Sequence, residues 1–323
     1  MKKVLIIGKI PPPLGGVTVH VSRLVTALRE SGFENFSFCN LQTEPFWSVF
    51  GKIVMHSVIH LHASNPFAQA VFALFCRMCG KKLILTYHGN WGRYSFSGNF
   101  AVNISAFLAS IPIVQNPESF LCARKFNNHA RLISTFIFSK DFVPLDAQTN
   151  AKLNDFRERY DHVFCTNAWK LVFDKLGNEL YGISDIIRQI QKTDSAGLII
   201  SDPSASYSPF IERTFDSIPD NVLIIRGHHD FRNVLHVADA FIRNTSTDGV
   251  SLSIFEAREL GVAILASDAV SRPEFCYVFG ELANVDLIAA LAEGKKRLEN
   301  EIKCWQTDVV KQLVAVYSEY LFN

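Results

Sequence analysis

Asp248 and Glu256 stand eight positions apart in "FIRNTSTDGVSLSIFEARELGVAILASD", residues 241–268. The stretch starts like an apolar strand, breaks into polar and glycine chemistry, and resumes like a helix. Ser-Thr-Asp-Gly at 246–249 suits a turn and a helix cap. The N–H groups of Gly249, Val250, Ser251 and Leu252 find no partner inside such a helix and would face an anion lying over its start. Asp248, before the helix, and Glu256, inside it, then accept hydrogen bonds, which suits vicinal hydroxyls of a sugar or ribose. Phosphate at the amides with hydroxyls at flanking carboxylates is the pattern that holds a nucleotide sugar. The plain alternative makes Asp248 a cap and Glu256 a solvated surface residue.

Other loops that follow strand-like runs also carry chemistry. In "GKIPPPLGGVTVH", Gly15 and Gly16 open a helix, where backbone N–H groups can approach a phosphate. This is not G-x-G-x-x-G, and no acidic ribose partner follows the next strand, so a dehydrogenase is disfavoured. In "LTYHGNWG", His88 ends a strand, placed to hydrogen-bond a ligand hydroxyl. His60 and His62 in "IHLH" share a strand face like a metal pair. With no third ligand near in sequence they read as buried or loop-facing, and no metal is expected. His228 and His229 in "RGHHD" are a further ligand candidate.

These loops need a frame. "KVLIIG", "FSFCN", "SVIHLHA", "KLILTYH" and "IPIVQN" read as strands, with helices over Gly16–Gly32 and about Pro66–Cys79 and Pro117–Phe126. The pattern turns polar over Ser139–Phe156, a candidate linker, then restarts. Strands read at "HVFCTN", "AGLIIS", "NVLIIRG", "AFIRN" and "VAILAS", with helices at about Glu179–Gln191, Phe210–Phe215, Gly249–Leu260 and Asp286–Leu298. That rhythm implies two α/β, doubly wound, Rossmann-like domains. We place them at residues 1–145 and 146–305, followed by an amphipathic helix over 306–323. In such sheets ligands sit beyond the carboxyl ends of the strands.

At 323 residues the chain suits two domains. Its net charge of +1 is unevenly spread: residues 1–150 hold 14 Lys+Arg against 6 Asp+Glu, and the rest 18 against 25. The halves thus sum to +8 and −7. An odd seven cysteines, scattered in apolar surroundings, read as reduced and buried. No signal peptide is legible at the start, and "NFAVNISAFLASIPIV" is too interrupted to span a bilayer. The expected location is cytoplasmic, peripheral on the inner face of the cell membrane. No basic helix with base-reading polar residues points to nucleic acid.

The residues now resemble a known family, the retaining glycosyltransferases of family four, whose two-domain GT-B fold carries an E-x7-E motif. Here the motif is D-x7-E: Asp248, "GVSLSIF", Glu256, then "LGVAILASD". "PPPLGGVTVHVSRLVTALRESG" is similar to the family's Gly-Gly loop and first helix, and "LTYHG" to its second motif, so the likeness spans both domains in order. The resemblance implies two Rossmann-like domains facing across a cleft, with the C-terminal helix crossing back to the first. It implies that Gly15 and Gly16 face the diphosphate or transferred sugar and His88 contacts the sugar. Asp248 would hold sugar hydroxyls, its carboxylate retracted by about one C–C bond relative to glutamate; Glu256 would bind the ribose. A UDP- or GDP-sugar donor, a saccharide or lipid-linked saccharide acceptor and no further cofactor are implied, as is retention of configuration without a metal. The work would be surface polysaccharide or lipopolysaccharide assembly, and the basic first half suits an anionic membrane surface.

One departure bears on mechanism. The family opens its second domain with "GR…KG", whose cations neutralise the departing diphosphate; here Tyr181–Gly182 stands where Lys-Gly is expected. Lys170 and Lys175 are near, and Arg243 and Arg272 follow later strands; which serves is open. The rival readings are a same-fold nucleotide-sugar epimerase and a non-catalytic binding protein.

Overall fold

The structure, a computed structural model, describes residues 3–12, 15–138, 142–174, 176–248, 251–300 and 309–321. The chain divides into one unit of Met1–Ser139 with Gln306–Asn323 and a second of Lys140–Trp305.

The first unit alternates β1 (Val4–Gly8), α1 (Gly16–Glu30), β2 (Phe36–Asn40), α2 (Phe46–Met55), β3 (Val58–Ala63) and α3 (Pro66–Met78). It continues through β4 (Lys82–Tyr87), α4 (Phe96–Leu108), β5 (Ile111–Val114), α5 (Pro117–Arg124) and the short β6 (Arg131–Leu132). The strands form one parallel sheet in the order β2-β1-β3-β4-β5-β6. Strands buried on both faces must be continuously apolar, which is why "VLIIG" is legible: all five residues are buried. Asn65 and Asn116 start α3 and α5 by accepting backbone N–H bonds, each followed by a proline that fixes the first helical φ.

One face of this sheet packs α2, α3, α4 and α5 through Ile53, Phe72, Cys76, Ala106 and Ala123. The other packs α1 through Leu24 and Leu28, together with the C-terminal helix through Val309, Leu313, Val316 and Tyr317. The expected return of that helix to the first domain is therefore present.

The second unit runs α6 (Ala147–Arg159), β7 (His162–Asn167), α7 (Ile183–Ile190), β8 (Ala196–Asp202), α8 (Tyr207–Phe215), β9 (Val222–Arg226) and α9 (Arg232–Leu235). Then come β10 (Ala240–Arg243), α10 (Leu252–Glu259), β11 (Ala263–Ser267), β12 (Tyr277–Phe279) and α11 (Leu287–Asn300), before the C-terminal α12 (Val309–Leu321). Its parallel sheet has the order β12-β11-β10-β7-β8-β9.

Some expectations need correction. The polar stretch taken as a linker over Ser139–Phe156 is helical from Ala147, capped by Asp146, with Leu153 and Phe156 as its buried residues. The helix expected from Glu179 starts at Ile183; the Glu179 carboxylate instead accepts from the Ile183 and Ser184 N–H groups and caps it. The helix expected from Gly249 starts at Leu252, and Gly249 and Val250 lie outside the described residues. The helices α2 and α4 are additional to those that the sequence pattern predicts.

Candidate functional site

Each sheet has one point where the chain reverses its direction of travel across the strands, and a crevice opens there beyond the strand ends. In the first unit the point lies between β1 and β3; in the second it lies between β7 and β10. Both points hold a cluster of polar side chains.

In the second unit β10 ends in Arg243 beside the end of β7 at Asn167. Arg243 Nε donates to Asp248 Oδ2 at 2.9 Å and Nη2 to Oδ1 at 3.1 Å, a two-pronged pair. Arg272, from the loop after β11, donates through Nη1 to the same Oδ2 at 3.0 Å. Arg243 also reaches the Asn167 side-chain oxygen at 3.2 Å, and Asn167 donates to Ser253 Oγ on α10 at 2.7 Å. Arg272 is fixed further by the Ser267 carbonyl and Thr245 Oγ1. Its side chain is only 2% exposed, and those of Asp248 and Arg243 are mostly buried, at 9% and 12%.

Burial pushes the Asp248 carboxyl up, but Arg243 and then Arg272 outweigh it and hold it below the ordinary value. Burial likewise opposes the charge of Arg243, and Asp248 more than restores it. Two guanidiniums on one carboxylate leave a net charge of about +1 at the strand ends. Glu256 is buried on α10, so the surface alternative for it fails. Lys170 is exposed and lies over the Trp169 ring, whereas Lys175 lies outside the described residues. Ser251 is the residue before α10, and Leu252 its first residue.

The Tyr181–Gly182 pair takes a definite part in this cluster. The Arg243 guanidinium lies over the Tyr181 ring at 5.2 Å, and Asn244 Nδ2 donates to the Gly182 carbonyl. Gly182 has φ of +52°, and a Cβ there would overlap the Asn244 side-chain amide and come within 2.7 Å of its carbonyl oxygen. Gly182→Ala is therefore expected to cost roughly 2–4 kcal/mol, combining left-handed strain with overpacking. Thermal melting checks this; a loss below about 0.5 kcal/mol would show that the loop does not seat on Gly182.

In the first unit four histidines gather. His62 is the last residue but one of β3, His88 follows β4, His60 lies two residues before His62, and His20 arrives from α1. His62 Nδ1 and His88 Nε2 share a hydrogen bond at 3.1 Å. His20 Nδ1 donates to the Thr135 carbonyl at 2.6 Å, so in the neutral ring Nε2 carries the lone pair. His60 is spanned by Tyr317 Oη on α12 at 2.6 Å and Thr86 Oγ1 at 2.8 Å. His20 Nε2 and His62 Nε2 are buried without a protein partner.

Burial holds His20 down at about 4 and His60 at about 3, and keeps His62 and His88 well below the usual range. All four rings are thus neutral at physiological pH, offering hydrogen bonds rather than charge. His60 and His62 do acquire neighbours that the sequence did not show. His20, His62 and His88 each bring a nitrogen within 4.8 Å of the others, the one such group among the described residues that could hold a metal. Zinc bonds of about 2.0–2.1 Å need nitrogens closer than that, so a cation would have to draw the rings together.

Gly15 precedes α1 in an extended conformation. Among the described residues, a Cβ on Gly16 meets nothing within 4 Å, and one on Gly15 only Thr18 Oγ1 at 3.9 Å. The chain's own packing does not demand glycine at either place. His229 donates from Nδ1 to the Gly227 carbonyl and accepts from Ser201 Oγ, so both nitrogens are used. A 440 Å³ depression lined by Tyr160, Gln191, Pro219 and Asn221 opens near residues that precede β7 and β9, at the opposite edge of the sheet from the arginines.

No protein-family model matches the chain, and no curated protein matches it by sequence. Solved structures do match in fold. HepE of Anabaena in complex with UDP aligns over 98% of this chain and 100% of its own, with a TM-score of 0.68 at 13% identity. The lipopolysaccharide outer core galactosyltransferase WaaB aligns over 98% and 99%, with a TM-score of 0.62 at 12% identity. A putative UDP-N-acetylglucosamine 2-epimerase from Listeria monocytogenes aligns over 100% and 98%, with a TM-score of 0.67 at 12% identity. At such identities the likeness establishes the fold: two six-stranded parallel sheets with flanking helices, as in the GT-B structures.

Proposed function

We propose that this chain transfers a sugar from a UDP- or GDP-sugar to a saccharide or lipid-linked saccharide acceptor, in surface polysaccharide or lipopolysaccharide assembly. The observation that carries the reading is the Arg243–Asp248–Arg272 cluster at the second unit's crossover point. A departing nucleoside diphosphate accumulates negative charge, and fixed cations in a buried setting stabilise it without reorganising. Arg243, aimed by Asp248 and seated on Tyr181, takes the role that the missing Lys-Gly pair would have filled. Lys170 is a further cation near the same strand end. The amides at 249–252 and Glu256 are assigned to the diphosphate and ribose.

In the first unit His88 is assigned a hydrogen bond to the sugar, and Gly15 and Gly16 leave room beside the α1 N-terminus for a phosphate or sugar. The bond from the anomeric carbon to the diphosphate oxygen breaks, and one to the acceptor oxygen forms on the same face. The acceptor proton passes to the leaving diphosphate, so configuration is retained and no metal is needed. HepE and the epimerase support the donor class, since the first was solved with UDP and the second is named for a UDP-sugar.

A thermal-shift panel of nucleotide sugars, run on the wild type and on Glu256→Ala, tests this. A donor-specific rise lost in the variant, unchanged by chelator, is expected. Glycosyl transfer must then follow with an acceptor. Isomerised donor without an acceptor would favour the epimerase reading, and a folded protein with no shift for any donor would rule out the donor site.

A further inference from the structure

We propose that the outward face of α2, α3 and α4 docks on an anionic lipid bilayer. Stripes of apolar side chains on these helices face solvent. On α3, Phe67, Val71, Leu74 and Met78 follow helical spacing and are all exposed, while Phe72, Ala73 and Cys76 fill the core behind them. On α4, Phe96, Phe100, Ile104 and Phe107 repeat the pattern, with Phe96 91% exposed. The α2 helix adds Trp47 and Met55, 82% and 84% exposed. These helices adjoin: α3 packs beside α4, and Phe50 of α2 meets Phe72 and Phe75 of α3.

A helix on the surface of a soluble domain ordinarily turns charged residues outward. Here α4 contains no charged residue, α2 only Lys52, and α3 only Arg77. An apolar surface continuous over three helices exceeds what single exposed side chains explain.

Charge identifies the occupant. From residue 45 to residue 117 there is no Asp or Glu; Lys52 is paired with Glu44 and Lys82 lies over Tyr320 of the C-terminal helix on the other face of the sheet, which leaves Arg77, Lys81 and Arg93 as the cations beside these helices. A second copy on a two-fold axis would bring this face against itself, cation to cation, and Glu44 beside α2 is already held by Lys52. An anionic membrane answers both features, taking Trp and Phe into the headgroup boundary and cations onto phosphates. No helix among the described residues is long and apolar enough to cross a membrane, so the helices would lie in the interface plane. This proposal is independent of the reaction assigned above.

The test is co-sedimentation of the full chain with vesicles of phosphatidylcholine alone and with about 30% phosphatidylglycerol. Binding to the anionic vesicles is expected, weakened about tenfold or more by Leu74→Glu with Phe100→Glu. Arg77→Gln should weaken anionic binding alone, by about fivefold. Both altered apolar residues are exposed, and circular dichroism confirms that the variant is folded. Wild type left in solution with both vesicle types, or a double variant that still sediments, would overturn the proposal. So would a wild-type dimer that the double variant converts to monomer in light scattering, which would assign the face to a second copy.

Discussion

Asp248→Asn should cost about 3–5 kcal/mol, because it leaves two largely buried guanidiniums without their counter-charge. For a unit of this size that is a fall on the order of 10 °C in melting temperature. The shape of the side chain is kept, so the loss reports charge and not a cavity. Arg243→Met should cost less, since Asp248 keeps Arg272 and the methionine fills the space over Tyr181. It should nevertheless abolish the donor-dependent shift. The double variant should be no less stable than Asp248→Asn alone, a coupling of about 1–3 kcal/mol. Calorimetry on the four proteins reads this out; additive losses below about 0.5 kcal/mol each would mean that the cluster is solvated. The pH dependence has a definite sign. The carboxyl binds protons less readily folded than unfolded, so its stabilisation is present above the ordinary carboxylate range and lost as pH falls through the depressed value.

The first unit should lose stability as the medium is acidified from pH 7.5 to 5. Its histidines are neutral when folded because burial disfavours the imidazolium, His20 holding out to about 4 and His60 to about 3. The unfolded chain takes up protons from about 6.5 downward. Unfolding thus binds protons between 6.5 and the folded values, and falling pH favours it. At pH 5 each of these two rings contributes about 2 kcal/mol of loss, roughly 4 kcal/mol together, with His62 and His88 acting in the same direction. Melting temperatures across that range, compared with His60→Gln, provide the measurement. The variant keeps hydrogen-bonding groups for Tyr317 and Thr86 and should flatten the slope by about one proton. A flat profile for the wild type from 7.5 to 5 would mean that the rings are solvated.

The alternation of strand and helix was readable wherever burial forces a simple pattern. The strands at Val4–Gly8, Lys82–Tyr87 and Ala263–Ser267 lie between helix layers and admit little but apolar residues, so their composition declares them. The helices α2 and α4 have apolar outward faces, which erases the contrast that marks a helix; α3 shares that face and is legible through its Asn65 cap followed by Pro66. The helix α6 was missed for the opposite reason, since only Leu153 and Phe156 point inward from an otherwise polar run.

The candidate site divides in the same way. Residue type and spacing alone singled out Asp248, Glu256, His88 and the Gly15–Gly16 turn, because a helix start with flanking carboxylates is local chemistry. That Arg243 and Arg272 share the carboxylate of Asp248 follows from the side-by-side pairing of β10 with β11, which brings the ends of two strands together across 24 residues of chain. His20 joins His62 because β1 pairs directly with β3, although α1, β2 and α2 intervene in sequence. Sequence by itself determined the frame, since core burial constrains each segment separately. Tertiary structure decided which charges meet and which rings lose water, because both depend on the order of strands across a sheet, which no local pattern encodes.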